Sequence, residues 1–184
     1  MTHSLGSFLG GEPLAFERLY ERYAARLLGF VVALGVPVDA AEDVCQKVWL
    51  RVIHNLVAYR GFGRFRPWLF RIAHRQWLDE ARSAWQRHRM PLDRPGTEAE
   101  WADPGAGPID IVLARERHQL LLDALAELPP AMRQTVLLRI DGELTFREIA
   151  DAMACPLGTA LWRMKEAERR LARRLGALEP EFQT

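Results

Sequence analysis

Apolar residues recur at helical spacing over most of the chain, in blocks divided by short breaks. Phe16, Leu19, Tyr20, Tyr23, Leu27, Phe30, Val31 and Leu34 share one face of a helix that Pro13 opens, with Glu17, Arg18, Glu21 and Arg22 off that face. Gly35-Val36-Pro37 ends it. Asp39 begins a second helix, and Glu42 three residues on has capping-box spacing. Val44, Val48, Val52 and Leu56 form one buried row of that helix and Cys45, Trp49 and Ile53 the next, leaving Glu42, Asp43, Gln46, Lys47 and Arg51 mostly outside. A loop over residues 59–66 follows, through Gly61 and Gly63, and Pro67 restarts the helix. Phe65, Leu69, Ala73, Trp77, Ala81 and Trp85 step by four as a core ladder; Arg71, Arg75, Asp79, Arg82, Gln86 and Arg89 form the exposed one.

Between Met90 and Pro108 the period dissolves into four prolines and three glycines, the composition of a linker. Beyond it, Ile109 to Leu128 reads as a Leu/Ala-rich helix, Leu128-Pro129-Pro130 as a sharp junction, and Ala131 to Ile140 as a short helix ended by Asp141-Gly142. Thr145 and Glu148 make a second capping box, opening a helix through Met153. Ala154-Cys155-Pro156 turns the chain, and Gly158-Thr159 opens a long last helix with Ala160, Met164, Ala167, Leu171 and Leu175 inward. A short helix, a tight turn and a longer basic helix make a helix-turn-helix, whose second helix enters the major groove; an ordinary helical hairpin gives the same pattern. The expectation is an all-α chain of two small helical domains, residues 10–90 and 109–178, joined by a flexible linker at 91–108.

Composition narrows the class. Of 184 residues, 49% are hydrophobic and 27% charged, ordinary for a folded soluble chain. The absence of a run of about 18 apolar residues argues against membrane insertion. The start, MTHSLGSFLGGEP, lacks the basic and apolar regions of a signal peptide. Two isolated cysteines imply neither a disulfide framework nor a zinc site and fit a reducing cytoplasm; Cys45 reads as a small buried hydrophobe. Five scattered histidines, no Gly-rich phosphate loop and no nucleophile motif argue against an enzyme, and no cofactor or metal is expected. His74 and His88 read as phosphate contacts or as plainly exposed.

The net charge of +1 hides a local concentration. Residues 59–89 hold eight arginines (60, 64, 66, 71, 75, 82, 87 and 89) against Asp79 and Glu80, interleaved with Tyr59, Phe62, Phe65, Trp68, Phe70, Trp77 and Trp85. Guanidinium groups hold phosphates and aromatic faces stack on unpaired bases, so this stretch suits single-stranded or melted nucleic acid. A solvated basic face would read similarly.

Two segments together resemble a family. AFERLYERYAARLLGFV, AEDVCQKVWLRVI and FRPWLFRIAHRQWLD resemble region 2 of bacterial RNA polymerase sigma factors. LAELPPAMRQTVLLRIDGELTFREIADAMACPLGTALWRMKEAERRL resembles their region 4. Both in this order, with nothing large between, resemble the extracytoplasmic-function group of the sigma-70 family. The resemblance implies a non-catalytic factor, cytoplasmic in a bacterium and on the nucleoid when active. It would bind core polymerase (the β′ coiled coil, and β) and promoter DNA. It implies core-polymerase contacts at Asp43, Gln46, Lys47 and a partly exposed Trp49. For the promoter −10 element it implies Arg60, Phe62, Arg64, Arg71 and Arg75, with Arg82 on upstream phosphates. No ATP-binding loop appears, so melting would be driven by binding alone. For the −35 element it implies the motif around Arg147, Pro156, Gly158, Thr159, Leu161, Trp162, Arg163 and Lys165. An anti-sigma factor is a further partner that the group suggests and no residue here demonstrates.

The chain departs from the family pattern. RIAHRQ places His74 before Arg75 where an Asn is common after RIAR. GTALWRMKEAE replaces a pattern near GTVKSRLxRAR, so Leu161, Trp162 and Glu166 stand where Lys or Arg, Ser and Arg are usual. Loss of basic character at Leu161 and Glu166, with an acid gained at Glu166, should weaken or redirect −35 reading. Leu161 or Trp162 would then meet thymine methyls while Arg163, Lys165 and Arg147 hold phosphates; the alternative for Trp162 is packing against its own motif or the other domain. The competing function is a stand-alone helix-turn-helix regulator of duplex DNA, which would need neither the aromatic-basic loop nor the Asp43/Gln46 surface.

Overall fold

A computed structural model describes residues 13–56, 59, 64–86 and 108–176. They form seven α-helices: α1 (Pro13–Ala33), α2 (Val38–Leu56), α3 (Phe65–Gln86), α4 (Pro108–Ala126), α5 (Pro130–Ile140), α6 (Phe146–Ala152) and α7 (Leu157–Gly176). The expected linker, and with it Trp101, lies outside the described residues, as do Arg60, Phe62, His88 and the side chain of Trp85.

Local chemistry sets the helix ends. Gly35 leaves α1 with φ 99°, and Gly35 N–H and Val36 N–H donate back to the Val32 and Val31 carbonyls (2.8 and 3.4 Å). This is the glycine-assisted stop that satisfies carbonyls left free at a helix C-terminus. The second helix starts one residue before the expected cap. The Pro37 carbonyl accepts from Ala40 and Ala41 N–H (3.0 and 2.9 Å), so Asp39 sits inside the first turn, where its charge meets the positive helix end. α3 starts at Phe65, two residues before Pro67, which is tolerated because a first-turn residue donates to no helical carbonyl. The Thr145 box is formed in full: Thr145 accepts from Glu148 N–H and Glu148 accepts from Thr145 N–H.

Helices α1, α2 and α3 pack pairwise into a three-helix bundle. Its interior holds Leu27, Phe30, Val31, Val48, Val52, Leu69, Phe70 and Ala73, with Phe30 and Phe70 edge to face at 5.0 Å. Helices α5, α6 and α7 pack pairwise around Leu138, Leu144, Ile149, Ala160 and Ala167, and α4 lies against α7. The two units also touch, α3 against α5 and α6 and α1 against α4. A Cβ on Gly142 would come within 2.6 Å of the Leu138 carbonyl and 3.1 Å of Phe70 Cβ, so the turn after α5 seats directly on α3.

Three expectations are corrected by this packing. Ile53, assigned to the buried side of α2, is 44% exposed, because its row runs past the end of the face that α1 covers. Phe70, read only as one of the aromatics interleaved with the arginines, is a fully buried core residue, whereas Phe65 and Trp77 are buried as the core ladder predicts. His74 is neither exposed nor on a phosphate-facing side: it is 2% exposed and stacks on Trp77.

Candidate nucleic-acid interface

The basic stretch is sorted by its neighbours. Its two acids turn toward α2: Glu80 accepts from Lys47 Nζ (2.6 Å) and Asp79 accepts from both terminal nitrogens of Arg51 (3.1 Å). Arg71, Arg75 and Arg82, spaced by four and seven, are exposed along one edge of the helix, with Asp79 beside them but drawn to Arg51. Among the described residues none of the three has an acidic partner, so this face carries uncompensated positive charge. Exposed pairs such as Lys47–Glu80 add little stability. Their effect here is to remove negative charge from the side of α3 that would meet a phosphate.

At the start of α3, Tyr59, Phe65 and Trp68 cluster, with Tyr59 and Trp68 at 4.6 Å and Phe65 and Trp68 at 5.7 Å. Phe65 is buried against Tyr23, while Tyr59 and Trp68 keep partly open rings. These two rings are the described aromatic surface next to the basic face. Periodicity could not separate them from Phe65, since all three lie in one aromatic run. Arg64 is exposed, but its Nη2 donates to Glu148 Oε2 across the two units at 2.9 Å.

On α2, Asp43, Gln46 and Lys47 are exposed as expected. Trp49 is not partly exposed: at 6% it lies under Phe16 and Tyr20, with ring centroids 5.7 and 5.2 Å away. It forms the floor of an apolar groove of about 560 Å³ between α1 and α2, walled by Phe16, Tyr20, Gln46, Leu50 and Ile53. Tyr20, Leu50 and Ile53 are 47%, 56% and 44% exposed, an apolar rim beside Asp43 and Gln46. The i+4 counting missed this rim because it takes every apolar row as inward. Burial pushes the Cys45 thiol up to about 12, aided by the Glu42 charge, so this cysteine stays protonated and inert beneath the groove.

The helix-turn-helix comprises α6, the Met153–Pro156 turn and α7. Ala154 holds the turn at φ 47°, and Cys155 N–H donates to Ala150 O (3.0 Å). Before the motif, Arg139 donates to the Leu144 carbonyl (2.8 Å) and covers the Phe146 ring at 5.2 Å, fixing the entry to α6. Arg147, Pro156, Gly158, Leu161, Trp162 and Lys165 are exposed, and Thr159 and Arg163 partly so. Trp162 is 60% exposed and Leu161 45%, so Trp162 is not packed on its own motif or on the other unit. A Cβ at Gly158 would meet nothing within the protein; any need for glycine there comes from what approaches from outside. Glu166 is spent inside its helix. Arg169 (2.9 and 2.8 Å) and Arg170 (2.8 Å) both donate to it, holding its carboxyl down to about 2. The acid that replaced an arginine is thus offset by two cations one turn further on.

Comparison with known proteins agrees with this geometry. The Sigma-70 region 2 family model matches residues 19–87 and the Sigma-70 region 4 model matches residues 118–176. The RNA polymerase sigma factor CarQ of Myxococcus xanthus is 35% identical, over 95% of this chain and 97% of CarQ. The ECF RNA polymerase sigma-E factor of Escherichia coli strain K12 is 31% identical, over 85% of this chain and 86% of its own length. Among solved structures, the fold is similar to CnrH in complex with the cytosolic domain of CnrY (TM-score 0.61, 21% identity, 96% of this chain and 97% of that one). It is similar also to the sigma factor RpoE in complex with the anti-sigma factor NepR from Bartonella quintana (TM-score 0.66, 18% identity, 88% and 96%).

Proposed function

The chain belongs to the sigma-70 family of RNA polymerase sigma factors, in its extracytoplasmic-function group, and on that premise we propose how its surfaces divide promoter recognition. Region 2 is the α1–α3 bundle and region 4 the α4–α7 unit. Asp43, Gln46 and Lys47, with the neighbouring rim of Tyr20, Leu50 and Ile53, receive the β′ coiled coil. Trp49 shapes the groove floor without being a primary contact. Arg71, Arg75 and Arg82 run along the displaced strand and upstream phosphates at the −10 element, with Tyr59 and Trp68 as stacking surface and Arg60, Phe62 and Arg64 at the flipped base.

Region 4 places α7 in the −35 major groove. Gly158 lets the backbone approach the duplex. Leu161 and Trp162 meet thymine methyl groups, and Arg147, Arg163 and Lys165 hold phosphates with Pro156 and Thr159 at the helix entry. The factor acts by binding alone and catalyses no reaction. It works in the cytoplasm on the nucleoid, consistent with no described helix being long and apolar enough to cross a membrane. One of the similar solved structures is a sigma factor, RpoE, held by the anti-sigma factor NepR, which supports a sequestering anti-sigma factor for this chain as well.

The observation that carries this division is the one-sidedness of α3. Its acids are tied to α2 while Arg71, Arg75 and Arg82 face outward unpaired. The stand-alone regulator is not favoured, because the relatives that match along the whole chain are sigma factors. The test is run-off transcription with core polymerase and a promoter library, read with permanganate at unpaired thymines. Factor-dependent initiation with reactive thymines near −10, weakened about tenfold or more by combined Arg71→Ala and Arg75→Ala changes, is the expected result. Retained duplex binding without binding to core polymerase would reinstate the regulator.

A further inference from the structure

Arg51 belongs to none of the recognition surfaces assigned above, and by spacing alone it is a solvated residue on the outside of α2. Its side chain instead reaches across to α3, where both terminal nitrogens donate to Asp79 Oδ2 at 3.1 Å. The two acids of α3 are held unequally. Glu80 accepts from Lys47 Nζ (2.6 Å) and from Gln76 Nε2 (2.9 Å). Asp79 has Arg51 as its one ion-pair partner among the described residues.

Helical spacing says what Asp79 would do without that partner. Arg75 lies four residues before it and Arg82 three residues after, so the three share one edge of α3. Arg75 and Arg82 are exposed, and 42% of the Asp79 side chain is open to solvent. An acid N-terminal to a base is the favourable order for such a helix pair, which makes Arg82 the first competitor for the carboxylate. A carboxylate paired with Arg75 or Arg82 occupies a guanidinium that would hold a phosphate, and its charge repels the phosphate itself. Arg51 draws the carboxylate toward α2 and away from both.

We propose that Arg51 is a positioning residue for promoter opening: it touches no DNA, and by holding Asp79 against α2 it keeps Arg75 and Arg82 free for the −10 strand and the upstream phosphates. This rests on the assignment of the α3 arginines to the −10 element. It adds that an acid on the reading edge has to be neutralised from a neighbouring helix. Packing of α2 on α3, a matter of apolar burial, thereby sets how many cations the DNA meets.

The test is made in the assembled holoenzyme, with the factor saturating core polymerase, so that a change in core affinity does not enter the reading. A labelled single-stranded −10 oligonucleotide is titrated over a range of salt. In Arg51→Gln, binding should weaken about two- to fivefold, the range that one exposed ion pair shifts. The slope of log affinity against log salt should become shallower by up to about 0.7, the share of one phosphate contact on a single strand. Arg51→Lys keeps a cation within reach of Asp79 and should recover most of the loss. Arg51→Gln with Asp79→Asn removes the competitor together with its keeper and should return affinity and slope to wild type. A matched charge loss on α1, Arg18→Gln, should reproduce neither effect. Helical content and melting midpoint should stay near wild type throughout, because the Arg51–Asp79 pair is half-exposed.

Unchanged affinity and slope in Arg51→Gln would overturn the proposal. So would a loss that persists once Asp79→Asn is added, since Arg51 would then be a DNA contact or a prop of the bundle. A loss with the full salt slope counts against it in the same way, and a loss matched by Arg18→Gln would reduce the effect to net charge. The −10 assignment is checked in the same assay by Arg71→Ala with Arg75→Ala. If that variant binds as wild type does, the basic face does not hold the strand and both readings fall. If it weakens binding while Arg51→Gln does not, only the role of Arg51 is lost.

Discussion

Helices α2 and α7 are nearly equal in length, 19 and 20 residues, yet they are used in opposite ways. The region 2 helix buries Ala41, Val44, Cys45, Val48, Trp49, Val52 and Leu56. The region 4 helix buries only Ala160 and Ala167. A helix that gives most of one side to the core is a rigid support, and its recognition surface is what remains along its outer edge. A helix anchored through two alanines approaches its neighbours closely and leaves Leu157, Gly158, Leu161, Trp162 and Lys165 exposed along its leading end, the surface proposed for DNA. Region 2 is accordingly held by a broad apolar interior. Region 4 combines a smaller interior with a capping box, helix-end stops and its seat on α3.

The largest effect should come from deepening this contrast on the region 2 side. Phe70→Ala removes a fully buried ring packed on Phe30, and a loss of about 3–5 kcal/mol is expected in urea denaturation. A loss below about 1 kcal/mol would mean the bundle interior repacks freely, contrary to the rigid-support reading.

Next in size is Gly142→Ala, which tests whether region 4 depends on its seat. The added methyl meets a backbone carbonyl at 2.6 Å and Phe70 Cβ at 3.1 Å. The carbonyl belongs to the same turn and cannot swing aside as a side chain could. About 1–3 kcal/mol of destabilisation is expected by thermal melting, with region 4 loosened from α3. Wild-type stability with unchanged compactness would show that the seat has room to adjust.

Trp162→Ala probes the opposite end of the comparison. At 60% exposure the ring supports no core, so stability should stay within about 0.5 kcal/mol of wild type. Preference for thymine at one −35 position should fall several-fold in a promoter selection. An unchanged preference would leave Trp162 without a DNA role.

The smallest effect is a pH trend at the contact between the units. Burial lowers the pKa of His74, opposed only in part by its bond to Gln134. The unfolded chain therefore takes up a proton near pH 6.5 while packed His74 resists it, and stability falls as pH drops below about 6.5. Asp141 has the opposite sense: burial raises its pKa, against the nearby Arg26 and Arg66 charges, so its contribution favours lower pH and is lost as pH rises through its folded value. Comparing melting temperatures between pH 7.5 and 5.5 in wild type and in His74→Gln isolates the histidine. A slope that is unchanged in His74→Gln would assign the trend to other groups.

Much of this architecture is legible in the residue order. The Thr145 box, the Gly35 stop, the valine row of α2 and the alanine anchors of α7 follow from short-range rules: a cap needs an acceptor within a turn, and an apolar stripe needs a period near 3.6. The motifs for the two sigma regions were legible for the same reason, since each is a contiguous run. Errors fell where burial depends on a second helix. Trp49 and Ile53 share one apolar row, yet Phe16 and Tyr20 cover only Trp49 and leave Ile53 open, and His74 lies under α5 where spacing alone suggested solvent.

Spacing along one chain states which side of a helix is apolar, and for this factor that is enough to define seven helices, the helix-turn-helix and the basic ladder on α3. It carries no information about which charge lies across from which, because a guanidinium reaches its partner through space and residues 84 positions apart can be 2.9 Å apart, as Arg64 and Glu148 are. The pairing of Asp79 and Glu80 with α2, the taming of Glu166 by two arginines, the exposed ring of Trp162 and the grip of region 4 on Arg64 and Arg66 were all decided only when the helices were brought together.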